Sequence, residues 1–174
     1  MTQRGTASVR VVIAMGSNLG DRLDHLQGGL DGLFDTPRIG FLAVSPIYET
    51  APVGGPEQPD YLNAVVIAET SIPAQAVLER CLSLEDAFGR VRDERWGPRT
   101  LDLDLIIYGD EVSNGPGLTL PHPRAHERAF VLAPWHDADP QAQLPGYGPV
   151  ADLLAALGTD GVVRLEGAVL HPPT

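Results

Sequence analysis

The sequence predicts an α+β domain with a βαββαβ core, an antiparallel sheet and additional elements at the C-terminal end. Three observations lead there. Apolar, strand-like runs recur at Val9 to Met15, Ile39 to Tyr48, Tyr61 to Thr70 and Leu101 to Tyr108. Apolar residues at helical spacing fill the gap after the first run and the gap after the third. Pro- and Gly-rich punctuation separates the elements without any repeat, low-complexity tract or linker, so the 174 residues read as one domain over 1–174, with residues 1–7 and 168–174 as loose ends. The order is the split βαβ pattern of ferredoxin-like folds, with helices expected on one face of the sheet.

Each element has a local reason. Val9 to Met15 is an apolar run ending in the turn-rich Gly16-Ser17-Asn18-Leu19-Gly20-Asp21, which suits a helix start. Leu23, Leu26, Leu30, Leu33 and Phe34 then repeat with helical period up to the break at Pro37. The second strand and the third are separated by a Pro/Gly-rich loop, Thr50 to Asp60. Ser71 and Pro73 announce a second helix with the stripe Val77, Cys81, Leu84 and Phe88, and Gly89 stands near its end. Arg92 to Arg99 reads as a polar loop before the last core strand. Beyond Tyr108, Gly109-Asp110 turns the chain, short extended pieces surround Leu118 to Leu120, and helices are predicted near Glu127 to Trp135 and Val150 to Leu157.

Charge narrows the function. A net charge of -11 argues against a general nucleic-acid binder. All 12 basic residues are Arg, and the lack of any Lys excludes a P-loop, a Schiff-base enzyme and a protein kinase. Seven of those Arg lie between Arg80 and Arg128, and because screening confines exposed charge to about 8 Å at physiological salt, such a cluster can still attract an anion. No apolar run is long enough to span a bilayer, the N-terminus lacks a secretory apolar core, and the single Cys81 cannot form an internal disulfide, which together predict a cytoplasmic protein with no membrane partner. Cys81, in the apolar stripe of a helix, reads as packing.

In Leu101-Asp102-Leu103-Asp104-Leu105, strand alternation sends the leucines to one face and both aspartates to the other, their Cα atoms about 6.6 Å apart. Paired carboxylates repel, and Mg²⁺ would relieve the repulsion and grip phosphate. The pair alone does not distinguish this from an ordinary half-exposed strand. The segment before it, Arg90-Val91-Arg92-Asp93-Glu94-Arg95-Trp96-Gly97-Pro98-Arg99-Thr100, brings phosphate-binding cations and a Trp to the same place. In Pro121-His122-Pro123-Arg124-Ala125-His126-Glu127-Arg128, the prolines keep His122 off any helix face shared with His126; His122 reads as a neutral or protonated phosphate donor and His126 as a surface residue. Tyr61 and Asn63 share a strand face, offering a stacking ring and an amide to a flat heterocycle. His25, His136 and His171 stand in no constellation.

Gly16-Ser17-Asn18-Leu19-Gly20, Gln58-Pro59-Asp60-Tyr61-Leu62-Asn63-Ala64, Arg95 through Asp104 and Pro121 through Phe130, in this order, resemble the 6-hydroxymethyl-7,8-dihydropterin pyrophosphokinase family over residues 9 to 135. The resemblance implies a ferredoxin-like α+β enzyme in folate biosynthesis. It would move the β,γ-diphosphate of ATP to the hydroxymethyl oxygen of 6-hydroxymethyl-7,8-dihydropterin, both small molecules, and the resemblance implies a monomer. It implies two Mg²⁺ on Asp102 and Asp104, with Arg90 and Arg92 also catalytic. ATP would be held by Glu85, Arg92, Trp96, Arg99, Thr119, His122 and Arg128, Glu85 and Thr119 on the nucleoside side. The pterin would lie between Tyr61 and Phe130, bonded by Asn63 and by backbone near Thr50 and Val53, under a mobile loop bearing Trp96. Leu82 stands where some members carry a Gln that touches adenine. Read from residues alone, a Mg-dependent nucleotide hydrolase and a non-catalytic anion sensor on the same fold remain alternatives.

Overall fold

Strand β1 (Val9–Ser17) is the axis of the fold in the computed structural model, which describes residues 8–51, 57–89 and 100–173. After it come α1 (Arg22–Phe34), β2 (Ile39–Val44), β3 (Tyr48–Thr50), β4 (Tyr61–Thr70), α2 (Ala74–Ala87) and β5 (Asp102–Tyr108). β1 pairs antiparallel with β4 on one side and with β5 on the other, and β2 and β3 both add to the far side of β4. This is the expected α+β core. The remaining elements are the hairpin β6 (Ser113–Gly115) and β7 (Leu118–Leu120), a 3-10 turn at Ala125–Glu127, α3 (Ala129–Ala138), the hairpin β8 (Gln143–Leu144) and β9 (Gly148–Pro149), α4 (Val150–Leu157) and β10 (Val162–Arg164).

Local chemistry explains the boundaries. Asp21 caps α1, its side chain accepting the Asp24 N–H at 3.2 Å. α2 gives way to Gly89, whose φ of +77° is a left-handed conformation that glycine adopts without steric cost. The expected second strand, Ile39 to Tyr48, is two strands. At the break, Pro46 has no N–H to give, and Ser45 takes over the pairing to Val65: its N–H donates to the Val65 carbonyl at 2.9 Å and its Oγ accepts the Val65 N–H at 2.9 Å.

Helices cover both faces of the sheet, not one. α1 and α2 bury Leu26, Leu30, Leu33, Val77 and Cys81 against Ile13, Met15, Leu103 and Leu105. On the opposite face, α3 and α4 bring Val131, Leu132, Trp135 and Val150 onto Val12, Val65, Ile67 and Ile106. The C-terminal elements therefore build a second core. Cys81 is fully buried, and burial pushes its thiol up to about 12, in keeping with an inert packing residue. The expected loose C-terminal end is also corrected over 168–173: Leu170 is buried in the first core, and Gln27 of α1 exchanges two hydrogen bonds with the His171 backbone. Among the described residues no helix is long and apolar enough to cross a membrane.

Candidate active site

Sheet register decides which side chains meet. Asn63 of β4, Gly16 of β1 and Asp102 of β5 lie in one cross-strand row, and Val65, Ala14 and Asp104 lie in the next of the same face. Residues directly opposite project to the same side, so Asn63 and both aspartates share the α3 face. Leu103 and Leu105 point the other way into the first core. The expected separation of aspartates from leucines is present.

A register shift between β1 and β5 places the bulge at Ile106, so that Ile106 and Ile107 both serve the second core. The carbonyl of Ile106 accepts the His122 N–H at 2.8 Å, and this fastens the Pro-His-Pro segment beside the aspartate strand. His122 Nδ1 in turn accepts the Arg124 N–H at 3.2 Å. Burial is the main reason its pKa is lowered from the usual 6.5; the Arg128 and Arg124 charges act the same way, and Asp104 opposes them. His122 is thus neutral at pH 7, and with Nδ1 engaged as acceptor the tautomer assigned from the hydrogen bond carries its proton on Nε2. Arg128 Nη1 stands 3.8 Å from Asp104 Oδ2, and its guanidinium carbon is 5.5 Å from the centroid of the Phe130 ring. With the Asp104 side chain 43% exposed, this ion pair is screened and weak, leaving the carboxylate accessible.

On the outer edge of β5 an open groove of about 330 Å³ runs between α2 and the β6–β7 hairpin. Leu82, Glu85, Leu105, Thr119 and His122 line it, and it reaches Asp104. Glu85 is buried at 2% exposure, and its Oε2 accepts the Leu103 N–H at 2.8 Å, an outward group of the edge strand. Glu85 therefore holds the strand segment that carries both aspartates. Leu82, 38% exposed, leaves this wall of the groove apolar.

On the other side of β1, the buried Asn63 donates from Nδ2 to Thr50 Oγ1 at 2.8 Å, while Tyr61, which pairs with Thr50 in the register, is half-buried. Phe130 is half-buried on the second core, on this same face. Thr50, Tyr61, Asn63 and Phe130 are thus brought to the face that carries Asp102, Asp104 and Arg128. The expectations placed on Arg90, Arg92, Trp96, Arg99 and Val53 lie outside the described residues.

Several site-building residues were not singled out from the sequence. The fully buried Asn18 donates from Nδ2 to Gln58 Oε1 at 2.8 Å and to the Pro59 carbonyl at 3.0 Å, and Arg22 Nη1 donates to Glu49 at 2.8 Å and to the Asp60 carbonyl at 2.9 Å. These bonds tie the turn after β1 to the entry of β4. The only sequence signal was that Asn18 and Gln58 belong to two motifs, 40 residues apart; Arg22 and Glu49 stand outside both. Further along the row, Tyr48 donates its hydroxyl to Asp137, which also accepts from Arg164 at 2.8 Å, linking β3 and β10 to α3. His126 is not a plain surface residue: its ring stacks on Tyr147, with centroids 4.3 Å apart, and its Nδ1 is buried without a hydrogen-bond partner. Among the described residues no group of three or more His, Cys, Asp or Glu is arranged to hold a metal ion.

Residues 12–140 match the family described as 7,8-dihydro-6-hydroxymethylpterin-pyrophosphokinase, abbreviated HPPK. A Pseudomonas aeruginosa protein named 2-amino-4-hydroxy-6-hydroxymethyldihydropteridine pyrophosphokinase is 40% identical over 91% of this chain and 98% of its own. A Mycobacterium tuberculosis protein of the same name is 48% identical over 85% of this chain and 84% of its own. Among solved structures, wild-type Plasmodium falciparum HPPK-DHPS with pteroate superposes with a TM-score of 0.67 at 12% identity, covering 89% of this chain. The chain spans 43% of that one, so the likeness speaks for the fold alone.

Proposed function

The chain belongs to the 7,8-dihydro-6-hydroxymethylpterin-pyrophosphokinase family, and from that premise we propose how its own residues perform the transfer. The reaction moves the β,γ-diphosphate of ATP to the hydroxymethyl oxygen of 6-hydroxymethyl-7,8-dihydropterin, in folate biosynthesis, and releases AMP. The observation that carries the site reading is the row Asn63, Gly16, Asp102: an amide suited to a heterocycle and a carboxylate suited to metal flank one strand.

Tyr61 and Phe130 supply the faces between which the pterin stacks, and Asn63, oriented by Thr50, bonds its edge. Thr119 and Glu85 border the nucleoside in the groove on the far side of β5. The triphosphate then crosses the edge of β5 toward the aspartates. His122 donates from Nε2 to a phosphate oxygen without adding charge, and Arg128, between Asp104 and Phe130, brings a cation to the point where both substrates meet. Arg90, Arg92, Arg99 and Trp96 complete the ATP side and Val53 the pterin side in this reading.

Asp102 and Asp104 are hard oxygen donors on one face, and the lack of a third carboxylate or imidazole among the described residues leaves the other coordination positions to water and phosphate, which is how Mg²⁺ is usually bound. We assign two Mg²⁺ to this pair. Held there by Asp102 and Asp104, such ions would supply positive charge to offset that of the phosphate chain. The pterin hydroxymethyl oxygen attacks the β-phosphorus in line, and the bond from that phosphorus to the bridging oxygen of AMP breaks. Holding the acceptor beside the phosphate chain converts an encounter into an oriented, effectively unimolecular step.

Incubation of the chain with ATP, Mg²⁺ and the pterin alcohol tests the reading. AMP formed only in the presence of the pterin supports it. Pterin-independent AMP or ADP would mean a hydrolase, and no turnover a sensor.

A further inference from the structure

We propose that Gly16 is a positioning residue for the acceptor, its missing side chain keeping open the strip of sheet between Asn63 and Asp102 along which the hydroxymethyl end of the pterin must lie. The inference rests on the pterin reading above and gives a role to Gly16, to which that reading assigns none.

A glycine inside a strand is costly, by about 0.5–1 kcal/mol relative to alanine, so it calls for a reason. Conformation is not the reason, because Gly16 is not among the glycines with positive φ. Packing is not the reason either. A Cβ at Gly16 would meet Asn63 Oδ1 at 3.4 Å, Tyr61 Cδ1 at 3.5 Å and the Leu62 carbonyl at 3.7 Å, all ordinary contacts. The glycines of α1 behave differently: a Cβ at Gly28 would fall 2.6 Å from Phe88 and one at Gly32 2.5 Å from Leu84. Helix packing demands those, whereas the described fold would accept a methyl at Gly16.

What a methyl would obstruct is the ligand. The two side-chain atoms it would touch belong to Asn63 and Tyr61, the amide and the ring assigned to the heterocycle. A pterin stacked on Tyr61 and bonded to Asn63 must bring its reactive end over β1 to reach Asp102, since β4 and β5 are each about 5 Å from β1 and lie on opposite sides of it. β1 presents only Gly16 and Ala14 along that path, while Ile13 and Met15 fill the opposite face. The bare backbone sets how deep the ring can sit, and so how close its oxygen comes to the diphosphate.

The test is Gly16→Ala in the full chain. The expected result is an unfolding midpoint equal to or above the parent's, affinity for a non-hydrolysable ATP analogue within about twofold, and a kcat/KM for the pterin lower by at least about tenfold, carried mainly by KM. Three results would overturn the proposal: pterin kcat/KM within about twofold of the parent, a clearly lowered unfolding midpoint, or an equal loss of ATP-analogue affinity. The parent itself reports on the underlying reading: if it forms no pterin-dependent AMP, that reading fails first and this one with it, whereas an active parent with an equally active variant removes the glycine's role alone.

Discussion

Replacing Glu85 tests whether a buried carboxylate holds the aspartate strand in place. Its Oε2 accepts the Leu103 N–H at 2.8 Å, and Leu103 sits between the two aspartates on the edge strand. In Glu85→Ala the N–H keeps its burial and loses its acceptor, which costs about 1–3 kcal/mol. The lost methylene adds about 0.8 kcal/mol, so the total is about 2–4 kcal/mol. Glu85→Gln keeps the chain length and a carbonyl oxygen and should cost clearly less. Urea denaturation with an unchanged m-value is the direct measurement; in thermal unfolding the same loss corresponds to about 5–15 °C for a chain of this size. Because Leu103 lies between the metal-binding candidates, the alanine variant should also weaken the Mg²⁺ dependence of turnover at temperatures where it remains folded. A loss below about 0.5 kcal/mol for the alanine variant would refute the reasoning, as would a glutamine variant no better than the alanine one.

Asp104→Ala should remove at least about 99% of turnover, as expected for a lost metal ligand in phosphoryl transfer, while its unfolding free energy stays within about 0.5 kcal/mol, because the side chain is partly exposed and its ion pair is weak; near-parental turnover would exclude the metal role. For His122 the sign follows from burial: the native pKa lies below 6.5, so on acidification the unfolded chain takes up the proton first and stability is lost as pH falls from about 6.5 through the native value. His122→Gln should flatten that part of a stability-against-pH profile, and an unchanged slope would count against it. Leu170→Ala should destabilise by about 2–3 kcal/mol in urea through loss of a buried side chain in the first core; no effect would mean that the tail is not anchored in solution.

The fold was legible where pattern and punctuation coincide. Tyr61–Thr70 is one such strand, bounded by Pro59-Asp60 and Ser71, and α1 is another element of this kind, started by the Asp21 cap. It was not legible where a side chain replaces a backbone rule. The apolar pattern runs on through Pro46 into Ile47 and Tyr48, and nothing in it reveals that Ser45 supplies the pairing there. α3 shows why the second core stayed hidden: Val131, Leu132, Ala133, Pro134 and Trp135 are buried all round, so the segment declares a buried helix without declaring which sheet face it covers. Leu170 misleads in the opposite way, the last of three apolar residues, Ala168-Val169-Leu170, just ahead of two prolines near the chain end, in a segment whose anchor depends on Gln27, far away in the chain.

The site was legible as chemistry and hidden as geometry, and sheet order supplies the missing step. Alternation assigns Asp102, Asp104, Tyr61 and Asn63 to faces of their own strands but does not say whether those faces coincide. Once β1 lies between β4 and β5 and is antiparallel to both, its C-terminal end must meet the beginnings of β4 and β5. The Gly16-Ser17-Asn18 turn, the Tyr61-Leu62-Asn63 entry and the Asp102-Leu103-Asp104 entry are those three places. Convergence of three motifs scattered over almost 90 residues thus follows from one topological fact, and register then decides which atoms face one another. That register puts a glycine between the amide and the carboxylate, so the feature hardest to see in the sequence is a side chain that is not there.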